Sequence, residues 1–260
     1  MEKQEFLQVF SAGVGKKAIS DCAVKWNKKH PELPVKLSSC GSVDLARRIM
    51  AGEKCDVFLS ADESIMTGIL LPEYVKSYTV FAGNRIVLQD MSGRGITDKN
   101  WKEKLLEPDA VFKNKDPYGD PGGYRGVMAL LLADKYENGL SRKLMEHPGH
   151  RGMDPEPAPE NAPEPDYLLT YYSMAASAGA QFAELPDIMN LSKEELNDED
   201  AQVSFAVDSR HTVRGSAISH CISVPEAAEH REAAEEFIED FLKTDFSAYF
   251  LTRKYRQVTV

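Results

Sequence analysis

The N-terminal part of the chain alternates short apolar runs with segments in which apolar residues recur at helical spacing. Buried strands are predicted over "FLQVFSAG", "PELPVKLSSC" and "CDVFLSAD". Helices are predicted over "KKAISDCAVKWNKKH" and over "SVDLARRIMAGE", which ends near Gly52. This β-α-β-α-β order predicts a parallel sheet with right-handed crossovers.

The rest of the chain predicts strands and helices in a less regular order. Two short strands flank Gly83 and Asn84, and further strands are predicted in "AVFKN", "YLLTYY", "QFAEL" and "SAISHCISVP". Helices are predicted near "WKEKLL", over "GYRGVMALLLADKYENG" closed by Gly139, and over "EAAEHREAAEEFIEDFLKT", before a final helix or strand. Because proline interrupts helices and central strands, "HPGHRGMDPEPAPENAPEPD" predicts a solvated loop.

The length of the chain suits two lobes of ordinary size. The chain has 260 residues, and the strands in "GNRIVLQ" and "SAISHCISV" are placed to carry it from one lobe into the other. We therefore predict lobe 1 from residues 1–82 and 216–260, and lobe 2 from residues 83–215.

Charge and composition narrow the classes of partner. The chain has 42% hydrophobic residues, 28% charged residues and a net charge of -10. This charge argues against nucleic acid or an anionic membrane surface as the main partner. A small anion is still compatible with it, because local dipoles can hold a small anion. No apolar run reaches the length of a membrane helix.

The cysteines and the N-terminus bear on the cellular compartment. The four cysteines form no C-x-x-C pair, so unpaired and mostly buried thiols are expected, although one disulfide is possible in an exported protein; they are Cys22, Cys40, Cys55 and Cys221. The start "MEKQEFLQVF" lacks the features of a leader peptide. The protein is therefore either cytoplasmic or a mature form without its leader.

The glycine-rich turn "GVGKKA" at residues 13–18 matches the dinucleotide pattern G-x-G-x-x-A. A dinucleotide site requires an acid at the end of the second strand, which instead ends in Ser38-Ser39-Cys40. The Walker A pattern also fails, because Phe10 replaces its first glycine and Lys17 its Ser or Thr. Two interpretations remain: a tight strand-to-helix turn, or backbone N–H groups that bind another anion.

A second candidate lies at the start of the second predicted helix. Ser42 is predicted at the helix N-cap, with Leu45 and Ile49 pointing inward. A serine there either caps the helix or donates its hydroxyl to a bound oxyanion. Ligands of open α/β sheets bind at the carboxyl edge of the strands, where both of these helices begin.

The loop "DPYGDPGGYRG" precedes another predicted helix and has two glycines that allow backbone to approach a ligand. Asp120 stands near the positive helix end. In "YLLTYYS", Tyr171 is either a core residue or a hydroxyl donor in a cleft. The histidines in "HPGH" make no convincing zinc site, and no nucleophile elbow is present.

Several blocks together resemble the molybdate/tungstate-binding proteins of ABC importers, above all the archaeal-type tungstate binders. They are "VFSAG", "GSVDLARRIMAGEKCDVFLSADE", "DPYGDPGGYRGVM", "DYLLTYYSMA", "ELPDIMNL" and "ISVPEAAEHREAAEEFIEDFL". The resemblance implies an α/β type II periplasmic binding protein fold, with two lobes joined by two crossover strands and a ligand cleft between them. It also implies no catalytic activity and no cofactor.

The resemblance further implies a set of ligand-binding residues. By position they are Gly13, Val14, Ser42, Asp120, Pro121, Gly122 and Tyr171, with a second acid at Asp154 or Glu156. Three features depart from the family pattern. Val14 replaces a serine, Gly122 replaces a cysteine, and "PEPAPENAPEP" replaces the helix beyond the second acid.

The acids bear on the choice of anion. A carboxylate repels sulfate or phosphate unless one partner is protonated, whereas the centres of molybdate and tungstate can accept a carboxylate oxygen, so Asp120 and Asp154 are candidate ligands. The serine hydroxyl lost at Val14 argues in the other direction, because a hydrogen bond to a charged group contributes about 1.5–3 kcal/mol.

The leading hypothesis is therefore an extracytoplasmic, monomeric solute-binding protein, periplasmic or at the cell surface, that delivers tungstate or molybdate to the permease of an ABC importer. A cytoplasmic location stays open. The first alternative is the same fold with another small anion or a sensory role. A bilobal enzyme is the second, and it would need an acid/base pair that the sequence does not show.

Overall fold

The computed structural model describes residues 5–153 and 164–260. Its strands, in chain order, are β1 (Leu7–Ala12), β2 (Val35–Cys40), β3 (Val57–Ser60), β4 (Ser77–Gly83), β5 (Ile86–Asp90), β6 (Phe112–Asn114), β7 (His150–Arg151), β8 (Tyr167–Tyr171), β9 (Phe182–Glu184), β10 (Ser204–Ala206), β11 (Thr212–Arg214), β12 (Ser219–Ser223) and β13 (Arg256–Thr259).

The α-helices differ widely in length. In chain order they are α1 (Lys16–Lys29), α2 (Ser42–Met50), α3 (Glu63–Ile65), α4 (Trp101–Leu105), α5 (Pro121–Leu131), α6 (Ala133–Tyr136), α7 (Leu140–Met145), α8 (Tyr172–Ser177), α9 (Asp187–Asn190), α10 (Asn197–Asp200) and α11 (Arg231–Leu242). Single 3₁₀ turns lie at Gly13–Gly15, Glu194–Leu196 and Phe246–Ala248, and a π-helical turn at Met66–Leu70.

The chain divides into two compact units. Unit 1 comprises the chain up to Gly83 together with Ser219–Val260, and unit 2 comprises Asn84–Ile218. The sheet of unit 1 has the strand order β13-β4-β12-β3-β1-β2. β1 is parallel to β2 and β3, whereas β12 is antiparallel to β3 and β4. Every residue of β1 is buried, as expected of a central parallel strand covered on both faces.

A buried carboxylate joins two distant segments of unit 1. Asp56, just before β3, is fully buried and accepts a hydrogen bond from the Gln8 N–H at 2.8 Å. It also accepts hydrogen bonds from the N–H groups of Glu229 and His230, at 2.9 and 3.0 Å. These bonds fix the backbone immediately before α11.

The sheet of unit 2 has the strand order β7-β6-β8-β5-β9. β6 and β8 are parallel, and β5 is antiparallel to β8. α5 packs closely on the sheet because Gly126 has no side chain: a Cβ there would lie 2.6 Å from Asn114 Oδ1 and 3.2 Å from Leu169 Cβ. All residues of α5 from Pro121 to Leu130 are buried.

The predicted β-α-β-α-β start is confirmed, but three predicted elements differ. The helix predicted up to Gly139 is broken into α5, which ends at Leu131, and α6, which ends at Tyr136 because Glu137 is extended (φ -149°, ψ 124°); Gly139 is the N-cap of α7. The last long helix begins at Arg231, since the preceding N–H groups bind Asp56. The predicted loop after residue 146 contains β7, which pairs with β6 at the sheet edge. The final element is a strand, β13.

The four cysteines form no disulfide with one another; Cys22, Cys55 and Cys221 are buried, and Cys40 is partly exposed. Within residues 5–153 and 164–260, no helix combines the length and the apolar character needed to cross a membrane.

Candidate functional site

In unit 1, three strand ends meet at the carboxyl edge of the sheet. Ala12, the last residue of β1, is in register with Cys40, the last residue of β2, and β3 pairs on the other side of β1. Gly13 therefore follows one strand end and Ser42 lies just beyond the next. Gly13 is exposed, and Val14 is half-buried within the 3₁₀ turn that leads into α1.

The predicted N-cap role of Ser42 is wrong. Gly41 occupies the N-cap in an extended conformation, and Ser42 is the first residue of α2. The Ser42 side chain is fully buried, and its Oγ accepts a hydrogen bond from the Ala61 N–H at 3.0 Å. Because Ala61 follows β3, this bond ties the start of α2 to the adjacent strand end. The hydroxyl hydrogen has no acceptor among the described residues.

The second glycine of "GVG" serves packing. A Cβ at Gly15 would lie 2.6 Å from a methyl carbon of Leu59 and 3.0 Å from Ser11 Oγ. A Cβ at Gly13, in contrast, would meet nothing within 4 Å. A side chain at position 15 would therefore press against Leu59 and Ser11, whereas a side chain at position 13 would meet no neighbour.

In unit 2, the carboxyl ends of two parallel strands lie beside the start of α5. Tyr171 is the last residue of β8, and Lys115 follows the last residue of β6. Asp120 is the N-cap of α5 in an extended conformation, and Pro121 occupies the first helical turn. This order is the one expected at a helix start, because a carboxylate binds the free N–H groups and proline needs no N–H there.

Both oxygens of Asp120 have close neighbours. Oδ1 accepts a hydrogen bond from the Gly122 N–H at 2.8 Å, and Oδ2 lies 3.7 Å from Lys115 Nζ. A Cβ on Gly122 would lie 3.3 Å from Asp120 Oδ1, 3.5 Å from Tyr171 Cε2 and 3.6 Å from Lys115 Cδ. The unit 2 candidates Asp120, Pro121, Gly122 and Tyr171 are therefore brought together.

Gly123 has a role that differs from the predicted one. A Cβ there would lie 2.4 Å from the Asp116 carbonyl oxygen and 2.6 Å from Pro117 N. The glycine thus allows the loop's own backbone, not a ligand, to press against the helix start. The loop is held further by the Asp116 carboxylate, which accepts a hydrogen bond from the Tyr118 N–H at 2.9 Å.

Tyr171 is almost fully buried, whereas Lys115 and Asp120 are partly exposed. Lys115 is not among the site residues predicted from the sequence. The signal that could have identified it is a basic residue directly after a predicted strand and five positions before the helix cap Asp120. Asp154 and Glu156 lie outside the described residues, so the second carboxylate stays a prediction. Among the described residues, no group of His, Cys, Asp and Glu side chains could hold a metal ion.

Comparison with known proteins places the chain among solute-binding proteins. The model of the family described as bacterial extracellular solute-binding protein matches residues 7–250. A protein of Petrotoga mobilis named as an uncharacterized solute-binding protein is 29% identical, over 88% of this chain and 77% of its own. The molybdate/tungstate-binding protein WtpA of Thermococcus kodakarensis is 27% identical, over 96% of this chain and 81% of its own.

A solved structure shares the fold. The substrate-binding domain of a putative molybdenum ABC transporter from Clostridium difficile superposes with a TM-score of 0.58 and 17% identity. The superposition covers 96% of this chain and 99% of that domain. The predicted resemblance and the predicted α/β type II periplasmic binding protein fold are both confirmed.

Proposed function

We propose, from the premise that this chain belongs to the family of bacterial extracellular solute-binding proteins, that it captures tungstate or molybdate for an ABC importer. The observation that carries this proposal is the 27% identity with the molybdate/tungstate-binding protein WtpA over 96% of the chain. The superposition on the solved structure supports the fold, but at 17% identity it does not carry over a ligand.

The geometry of unit 1 supplies donors suited to an oxyanion. Gly13 has an exposed, unobstructed backbone, and the Ser42 hydroxyl retains a hydrogen after accepting the Ala61 N–H. Both lie where helices begin at the carboxyl edge of the sheet, and helix starts favour negative charge. We propose that Gly13, Val14 and Ser42 supply the unit 1 contacts.

The start of α5 supplies the corresponding group in unit 2. Pro121 and Gly122 lie in the first turn of an 11-residue helix, with the Tyr171 ring beside Gly122. We propose that Asp120, Pro121, Gly122 and Tyr171 line the unit 2 contacts, and that Asp154 or Glu156 adds a second acid. An exported, monomeric protein without catalytic activity, docking on a membrane permease, is the form that this function requires.

Calorimetric titration with sodium tungstate, molybdate, sulfate and phosphate tests the proposal. We expect micromolar or tighter binding of tungstate or molybdate, and weakened binding in Ser42→Ala. Ser177→Ala, at an exposed position on α8, is the matched control and should bind as the parent protein does. Thermal unfolding of both variants checks that they are folded. If neither metal oxyanion gives heat or a thermal shift, the proposal is refuted.

A further inference from the structure

The backbone of Ala61, directly after β3, is hydrogen-bonded on both sides. Its N–H donates to the Oγ of Ser42, at the start of α2, at 3.0 Å. Its carbonyl oxygen accepts a hydrogen bond from Nδ1 of His220, on β12, at 2.8 Å. All three residues belong to unit 1. Two consecutive hydrogen bonds therefore connect a buried histidine with the serine proposed as an oxyanion donor.

The His220 ring is held in one orientation. The residue is fully buried, and its ring centroid lies 4.9 Å from that of Phe250 and 6.4 Å from that of Phe81. Because a carbonyl oxygen only accepts, Nδ1 must carry the hydrogen of the bond to Ala61. Burial lowers the pKa of His220 to about 4, so the ring is uncharged near neutral pH. The donor is therefore a neutral imidazole with its hydrogen on Nδ1.

The Ala61 carbonyl depends on this donor. Ala61 is 2% exposed, and a buried carbonyl that loses its hydrogen bond is costly. Two neighbouring donors are already used: the Ser60 hydroxyl donates to the Asp62 carbonyl oxygen at 2.8 Å, and the Asp62 N–H donates to Ser60 Oγ at 3.2 Å. Without His220, the Ala61 backbone would turn toward another donor and its N–H would leave Ser42.

We propose that His220 is a positioning residue for oxyanion binding: it fixes the Ala61 backbone, and the Ala61 N–H in turn directs the Ser42 hydroxyl hydrogen toward the ligand. The inference rests on the proposed function and deepens it. A serine oxygen that accepts the Ala61 N–H must point its own hydrogen elsewhere, so the hydroxyl is oriented before the anion arrives. Such preorganisation strengthens binding because less freedom is lost on association.

Two substitutions of His220 test this role by calorimetry with sodium tungstate and sodium molybdate. His220→Leu removes the donor, and we expect it to weaken binding about fivefold, because the Ser42 hydroxyl is kept but no longer directed. His220→Asn should restore most of the affinity of the parent protein, because its amide offers an N–H near the position of Nδ1.

A double variant separates positioning from a general loss of structure. If His220 acts through the Ser42 hydroxyl, His220→Leu should change the affinity less than about twofold in a Ser42→Ala background. An equal loss in both backgrounds would indicate a merely structural role and overturn the inference. Phe246→Leu is the matched control, because Phe246 packs on Phe81 and Phe250 and donates no side-chain hydrogen bond. It should lower the unfolding temperature and change the affinity less than about twofold.

The tautomer of His220 gives an independent readout. Long-range proton–nitrogen NMR spectra of the parent protein near neutral pH should contain a neutral imidazole with its hydrogen on Nδ1, and His220→Asn should remove this signal. A hydrogen on Nε2 would overturn the inference. This measurement keeps the inference testable if circular dichroism shows that His220→Leu does not fold.

The outcomes distinguish this inference from the proposed function. If the parent protein binds tungstate or molybdate and His220→Leu binds equally well, the inference is overturned and the proposed function stands. The same holds if His220→Asn binds no better than His220→Leu. A parent protein that binds neither anion refutes the proposed function, and the positioning role falls with it.

Discussion

The pH dependence of unfolding tests an unusual buried carboxylate in unit 2. Asp200, the last residue of α10, is 1% exposed, and neither of its oxygens accepts a hydrogen bond from the described residues. Burial raises its pKa to about 6, in spite of the opposing effect of the Arg125 charge. Arg125 itself donates hydrogen bonds to the carbonyl oxygens of Arg214 and Ser216, both at 3.2 Å.

The raised pKa of Asp200 changes the free energy of unfolding in a direction and by an amount that can be worked out. In the unfolded chain Asp200 loses its proton near its ordinary pKa of 3.8, while the folded protein keeps it until about 6. Well below pH 3.8 Asp200 is protonated in both states, so its raised pKa does not lower the free energy of unfolding. Between the two values the folded state binds more protons, so the free energy of unfolding falls as the pH rises. Above the higher value the loss is complete, at about 3 kcal/mol.

The assay is urea unfolding of the parent protein and of Asp200→Asn across this pH range. Other carboxylates titrate too, so the difference between the two proteins is the informative quantity. Any packing defect of the asparagine is independent of pH and cancels in the change of this difference. We expect the variant to gain about 2.4 kcal/mol relative to the parent between pH 4 and pH 7, because part of the loss has already occurred at pH 4.

Asp198→Asn is the matched control, because Asp198 lies on the same short helix and is exposed. Its difference from the parent should vary by less than about 0.5 kcal/mol over the same range. A change below about 1 kcal/mol for Asp200→Asn would refute the reasoning. It would mean that the carboxylate has an ordinary pKa and that Arg125 offsets its burial fully.

Three further predictions concern single side chains. Asp56→Ala should lower the free energy of unfolding by about 3–5 kcal/mol in urea titration, because buried N–H groups lose their acceptor; a loss below about 1 kcal/mol would contradict this. Gly123→Ala should cost about 1–3 kcal/mol in thermal unfolding because its Cβ meets Asp116, whereas Gly13→Ala should be neutral. Val14→Ser should tighten tungstate binding about tenfold in calorimetry, and an unchanged affinity would exclude a hydroxyl contact there.

The secondary structure of unit 1 could be predicted because its signals are local. The inward positions Leu45 and Ile49 of α2 follow from helical spacing alone, and both are buried. The start of α11 could not be predicted in the same way. The residues before Arg231 have helical spacing, but their N–H groups bind Asp56, which lies far away in the sequence.

The candidate site likewise has features that local sequence signals predict and features that depend on contacts between distant segments. The clustering of Asp120, Gly122 and Tyr171 agrees with positions inferred from the sequence, since strand ends and helix starts meet at one sheet edge. The hydrogen bond of Ser42 could not be inferred, because its partner Ala61 follows a different strand. A serine before a helix favours a cap by local propensity, and here a tertiary contact overrides that propensity.

Asp120 shows how far a local motif can support a functional conclusion. The order Asp-Pro-Gly explains a helix cap completely, and any helix start of this kind would use it, so the motif alone says nothing about a ligand. Ligand information comes from the donors that remain once the carboxylate oxygens face Gly122 and Lys115. Those remaining groups are the ammonium hydrogens of Lys115 and the positive helix end, which favour any oxyanion.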